Sequence, residues 1–191
     1  MKNIFKIFFF CALTITSCIY QSLALCAPAE VEPITNQYYL PKVMELIGNA
    51  ETSINVMMYN MTWYEKYPDS PSNKLIDSLC KAARKKINVT VILNIDKPGF
   101  VKDSDSNIHT ARILKNSGVK VLLDPVDQTT HAKLIIVDNR FVVVGSFNWS
   151  YYSLEKNNET AVIIDSKEIA SYFLKYFNSV AIRSSPAITS D

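Results

Sequence analysis

His131, Lys133, Ser146 and Asn148 are residue types that together can attack a phosphodiester without a metal. They fall in one run: His131-Ala132-Lys133, then Asp138, then Gly145-Ser146-Phe147-Asn148, which reads H-x-K-x4-D-x6-G-S-x-N. At ~1 in 20 for each fixed position, chance gives this pattern in roughly a few per million chains of this length. An imidazole with an ordinary pKa of about 6.5 is largely unprotonated near neutral pH and is a good nucleophile. Lys133 and the Asn148 amide can hold the non-bridging phosphate oxygens and stabilise the charge that develops in the transition state. That is often worth about 3 kcal/mol per donor. Ser146 adds a hydroxyl donor. A covalent phosphohistidine divides one hard displacement into two easier ones. The chemistry also needs a general acid for the leaving group and then a base for water. The chain has two histidines, and His109 lies outside the run.

Two elements must position these groups. Leu134-Ile135-Ile136-Val137 and Phe141-Val142-Val143-Val144 are apolar, mostly β-branched runs that predict two buried strands. Asp138-Asn139-Arg140 between them is turn chemistry. With Asn139 and Arg140 as the central residues of a tight hairpin, Lys133 faces Ser146 and His131 faces Asn148. All four polar side chains then share one face, and Asp138 takes the other. Arg140 suits a positive φ poorly, so a longer turn with a shifted register is the alternative.

These residues resemble the phospholipase D superfamily and its HKD motif. Trp149-Ser150 also fits the usual run, and the order of elements is similar over residues 36–182. The resemblance implies His131 as nucleophile, Lys133 and Asn148 as phosphate ligands and Ser146 as a supporting contact. It implies a mainly structural part for Asp138 and Gly145. It further implies that Glu159, opening the next strand, fixes the tautomer of His131 by bonding one ring nitrogen. Larger members carry two such motifs in one chain. No second H-x-K and no internal repeat occur here. The likeness is therefore to the short members, which build one active site from two identical chains. In such a homodimer each His131 lies near the two-fold axis, one as nucleophile and the other as acid and base.

Composition agrees with a single core: 191 residues, 48% of them hydrophobic. Lys2 and Lys6 are the charged residues of the first 26, so 20 − 2 = 18 basic side chains face 18 acidic ones in the remainder. That neutral balance lacks the broad basic footprint of many nucleic-acid binders, although local patches survive in neutral proteins. There is no G-x-S-x-G elbow, no H-E-x-x-H and no Cys/His cluster, so neither a serine hydrolase nor a zinc enzyme is indicated. No metal and no cofactor are expected.

Residues 1–26 read as an export signal: a basic start, an apolar stretch over 7–20 and small residues at Ser22-Leu23-Ala24. The expected address is secreted or periplasmic. Ile15-Thr16-Ser17-Cys18 also resembles a lipoprotein box, and an uncleaved anchor reaching Ala27 is the other alternative. Cys11 and Cys18 fall in the signal. Cys80 reads as a packing residue, and a Cys26–Cys80 bridge is the minority reading.

The catalytic domain is expected over residues 27–191. Helices are predicted over 38–49, 73–85, 110–116 and 167–180, and strands over 53–59, 88–94, 119–123 and 159–164 beside the motif hairpin. Residues 96–107 read as a charged loop and 183–191 as a frayed tail. The alternation gives an α/β fold, a mixed β-sheet flanked by helices on both faces. Trp63, Tyr64 and Tyr67 in the loop after the first strand can stack bases, enter a lipid interface or cover the core. The run Arg84-Lys85-Lys86 suits a helix C-terminus better than a phosphate site.

The activity expected is phospholipase D hydrolysis of phospholipid headgroups to phosphatidic acid, with contact to a membrane surface. The neutral charge and the aromatic loop favour it. The alternative is a non-specific endonuclease for DNA or RNA, favoured by small size and the single motif. A catalytically silent membrane-binding or adaptor module is the third reading, opposed by the intact set His131, Lys133, Asn148 and Glu159.

Overall fold

The computed structural model describes residues 27–95, 104–125 and 127–187. The readings of the N-terminus (export signal, lipidated Cys18, anchor, Cys26 pairing) lie outside these residues. So do much of the charged loop and the last four positions of the tail.

Eight strands form one sheet in the order β1-β7-β6-β5-β2-β3-β4-β8. Strands β2 (Ser53–Met58), β3 (Asn88–Leu93) and β4 (Lys120–Leu123) are parallel. On the other side β5 (Lys133–Val137), β6 (Phe141–Gly145) and β7 (Thr160–Asp165) run antiparallel, with β5 antiparallel to β2. The edges are β1 (Glu30–Thr35), paired with β7, and the two-residue β8 (Ser185–Pro186), paired with β4.

The central strands are almost continuously apolar because both faces are covered. Val56, Met58, Val91, Ile135 and Val143 point into a core built with α1 (Tyr39–Gly48), α2 (Pro71–Arg84), α3 (Ser104–Asn116) and α4 (Tyr151–Glu155). Met57, Ile92, Leu134, Ile136 and Val142 point the other way, onto Ala170, Phe177 and Val180 of α5 (Lys167–Ala181). The mixed sheet with helices on both faces is as expected. Among the described residues no helix is long and apolar enough to cross a membrane. Cys80 is buried and, among the described residues, has no disulfide partner.

Three differences from the sequence reading have physical causes. Helix α3 begins at Ser104, inside the expected loop, because its buried Asn107 and Thr110 are polar and hide the apolar period. Ser185 and Pro186 pair with Leu123 and Leu122 rather than fraying. The motif hairpin takes the longer turn with the shifted register in place of the tight Asn139-Arg140 turn: Asp138, Asn139 and Arg140 lie between the paired Val137 and Phe141. Asp138 and Asn139 take the positive φ values, 53° and 52°, and Val137 pairs with Phe141. One step beyond the Leu134–Val144 pair, Lys133 therefore stands opposite Gly145 rather than Ser146. Arg140, the last residue of the turn and not at positive φ, binds Asp165 with two bonds of 2.6 Å.

Candidate active site

Four chain segments converge at the carboxyl end of β2: Tyr59 just after β2, His131 just before β5, Ser146 just after β6 and Glu159 just before β7. This is where β2 has a parallel neighbour on one side and an antiparallel one on the other. The carboxyl ends of strands at such a change of direction are the usual ligand crevice of open α/β sheets.

Lys133 is 9% exposed, and its Nζ lies 3.2 Å from His131 Nε2. It also donates to the His131 carbonyl at 2.8 Å. An ammonium has only protons to offer, so Nε2 accepts and the ring proton belongs on Nδ1. The Tyr59 ring backs both groups, 4.7 Å from the imidazole centroid and 4.9 Å from Nζ. Desolvation of this packed ring edge, then the charge of Lys133, hold the imidazole below its ordinary pKa, which keeps it neutral at pH 7. Burial likewise lowers Lys133, and the Glu159 carboxylate partly restores it. In an NMR titration His131 should therefore show a midpoint below about 6.5, and Lys133→Gln should move it upward. A midpoint unmoved by that substitution would remove Lys133 as a determinant.

Glu159 does not orient His131 within the chain, as the resemblance implied. Among the described residues no hydrogen bond joins the two. The carboxylate instead accepts from the Ser146 hydroxyl, from Ser153 Oγ at 2.9 Å and from Asn157 Nδ2 at 3.0 Å. Burial pushes its pKa up, but these bonds and Lys133 outweigh that and hold it low. The register shift explains the Ser146 contact, since Ser146 does not share the parity of Lys133. Gly145 lets β6 approach this closely, because a Cβ there would overlap the Thr160 carbonyl and Ala161. Asn148 donates its backbone N–H to Ser153 Oγ at 2.9 Å, so Ser153 links it to Glu159. The Asn148 Oδ1 is buried without a hydrogen-bond partner. Such a group costs about 1–3 kcal/mol until something binds it.

Polar side chains that the sequence did not single out hold this arrangement. The Thr130 N–H, next to His131, donates to Asp124 at 2.8 Å and to Asn94 at 3.1 Å. The fully buried Asn107 accepts from Met61 N at 2.8 Å and donates to the carbonyls of Tyr59 and Asn94 at 2.8 and 2.9 Å. It thereby fixes the backbone that carries the Tyr59 ring. Asn36 closes a reciprocal pair with the Glu159 backbone. The signal available for these residues is a polar side chain at the end of an apolar strand, which is too common to select them. Trp149 is buried, bonds the Tyr39 hydroxyl at 3.1 Å and pins the backbone beside Asn148.

Other singled-out residues lie elsewhere. Asp138 caps the far end of the hairpin, accepting from Glu51, Thr52 and Ser53. Arg84 and Lys85 close α2 just before the start of β3, at the end of the sheet opposite His131. His109 bonds Glu65 at 3.0 Å on α3. Trp63 packs on the core.

A family model described as cardiolipin synthase, PLD-like domain, matches residues 43–181. A phospholipase D of Rickettsia felis is 29% identical over 130 residues, which are 68% of this chain and 57% of that protein. A polyphosphate kinase of Staphylococcus epidermidis is 29% identical over 143 residues, 71% of this chain and 19% of that protein. The chain thus spans just over half of one relative and a fifth of the other. Among solved structures, the phospholipase D family member Nuc from Salmonella typhimurium superposes with a TM-score of 0.68 at 26% identity, over 82% of this chain and 98% of that one. With the family model matching most of its length, the chain belongs to the phospholipase D-like family.

Proposed function

We propose that this protein is a metal-independent phospholipase D that releases the headgroup alcohol and leaves phosphatidic acid. The observation that carries the reading is the imidazole of His131 held 3.2 Å from Lys133, with Asn148, whose buried Oδ1 has no partner, in the same run. A phosphate oxygen bound there takes over the Lys133 donors and frees the Nε2 lone pair. Nε2 attacks phosphorus, a P–N bond forms, and the P–O bond to the headgroup breaks. The departing oxygen takes a proton from the His131 of a second copy of the chain, which the bound phosphate anion holds as the imidazolium until this step. Water then attacks phosphorus and gives its proton to that same imidazole. The P–N bond breaks, and both histidines return to their starting states. One chain holds a single histidine in the motif, so the active unit is a homodimer with the site across its two-fold axis. Glu159 supports the site through Ser146 and Ser153 and adds negative potential beside Lys133. The enzyme works outside the cytoplasm, exported by residues 1–26, and meets its substrate at a membrane surface.

The test uses the purified protein in EDTA on phosphatidylcholine vesicles and, in parallel, on plasmid and single-stranded DNA. Choline release that disappears in His131→Ala is the expected result. DNA cleavage that disappears in the same variant, without choline release, would replace this reading by the second one. That reading, an endonuclease for DNA or RNA, is supported by the compact single-motif layout. Full turnover by His131→Ala would remove both.

A further inference from the structure

Asn107 lies outside the motif, in the first turn of α3, yet two lines of contact run from its amide to His131. The first passes through Tyr59. The Tyr59 carbonyl that Asn107 holds belongs to the residue whose ring lies 4.7 Å from the imidazole and 4.9 Å from Lys133 Nζ. The Tyr59 N–H also donates to the carbonyl of Ala132, between those two motif residues, at 3.2 Å. The second line passes through Asn94. Its carbonyl accepts from Asn107, and its side chain accepts from the Thr130 N–H, one residue before His131, at 3.1 Å. The ring that backs His131 and the backbone that carries it are thus set from a single amide.

The chemistry of the position selects the residue type. Oδ1 accepts from Met61 N, and both protons of Nδ2 go to carbonyls. A neutral carboxamide of this length serves all three groups. A carboxylate would set a negative oxygen against two carbonyls, a hydroxyl has one proton to give, and an apolar side chain would leave buried backbone groups unpaired. Thr110, also fully buried, accepts from Trp63 N at 3.0 Å and donates to the Met61 carbonyl at 2.8 Å. Helix α3 therefore clamps the whole segment that leaves β2 behind the imidazole.

We propose that Asn107 is a positioning residue for the reaction of His131: by fixing Tyr59 and Asn94 it keeps the imidazole packed against the Tyr59 ring and beside Lys133. The inference rests on His131 as the nucleophile of the proposed reaction and adds a residue outside the motif to the groups that set its reactivity. The charged group facing the imidazole is Lys133, with Glu159 acting on Lys133 in turn. Asn107 carries no charge, so replacing it with another neutral residue acts on the ring through packing.

Asn107→Leu keeps the volume and removes the amide. With Tyr59 released, water reaches the imidazole, and the NMR titration midpoint of His131 should rise toward the ordinary value of about 6.5. On whichever of phosphatidylcholine vesicles or plasmid DNA the wild type hydrolyses, kcat should fall on the order of tenfold with KM little changed. Asn107→Ser, with one donor left, should fall between, and Tyr59→Leu should raise the midpoint with Asn107 in place. Asp138→Ala is the control, since it lowers the melting temperature from the far end of the hairpin and should leave the midpoint where it is. A lowered melting temperature in Asn107→Leu with midpoint and kcat unmoved would make Asn107 a residue of the fold alone and overturn the proposal. Should Asn107→Leu not fold, an unmoved midpoint in both Asn107→Ser and Tyr59→Leu overturns it. The titration needs no turnover, so a wild type that hydrolyses neither substrate defeats the phospholipase reading while the midpoints still decide this one.

Discussion

Replacing His131 with alanine should reduce phosphodiester hydrolysis by on the order of 10⁴-fold or more, because the group that forms the covalent bond is gone. A shared site makes a sharper claim than loss of activity. When wild-type and His131→Ala chains are mixed and allowed to exchange, a mixed dimer has one histidine where two are required. Activity per total chain should then follow the square of the wild-type fraction. A site complete within one chain would give a straight line. Folding is not at stake in this variant, since His131 is exposed and, among the described residues, its ring bonds Lys133 alone. An unchanged melting temperature is the control that keeps the kinetic result interpretable.

Asp138→Ala should lower stability by about 2–3 kcal/mol while leaving the chemistry in place. The carboxylate accepts from three successive backbone N–H groups, of Glu51, Thr52 and Ser53, and from the Thr52 hydroxyl. Burial alone would raise its pKa, but these four bonds reverse the sign and hold it below the usual range. A carboxyl depressed in the folded state stabilises above its unfolded pKa of about 3.9, and that contribution disappears as pH falls through the folded value. The gap between wild type and Asp138→Asn in urea melts should therefore be constant above about pH 5 and close below about 3.9. For a domain of this size the melting temperature should drop by roughly 5–10 °C at neutral pH. A gap independent of pH would mean that the aspartate acts through shape rather than charge.

How far the sequence reaches can be judged at particular residues. The buried strands were legible because β-branched runs such as Leu134-Ile135-Ile136-Val137 have few alternatives. The motif residues were legible because their types are rare in combination. Their mutual geometry was not, because register depends on one turn residue. Two positive φ values at Asp138 and Asn139 move Lys133 from Ser146 to Gly145 and turn Ser146 toward Glu159. The role implied for Glu159 was drawn from resemblance, and a contact across chains looks the same in sequence as one within a chain. Asn107 escaped because a buried asparagine and a solvated one are spelled alike. Its significance lies in which carbonyls it meets, and those belong to residues 48 and 13 positions away.

The sheet has two rims, and neither invites another strand. Strand β1 offers Glu30 and Glu32, with Pro33 interrupting its row of donors. The opposite rim is only Ser185 and Pro186. Acidic residues, prolines and short length are the ordinary defences against strand-on-strand association. A chain so edged resists open-ended stacking into fibres even when concentrated at a surface. Under the proposed shared site, two copies meet through the loops around His131, and assembly and chemistry would then fall under the same selection. A substitution that harms one will rarely spare the other.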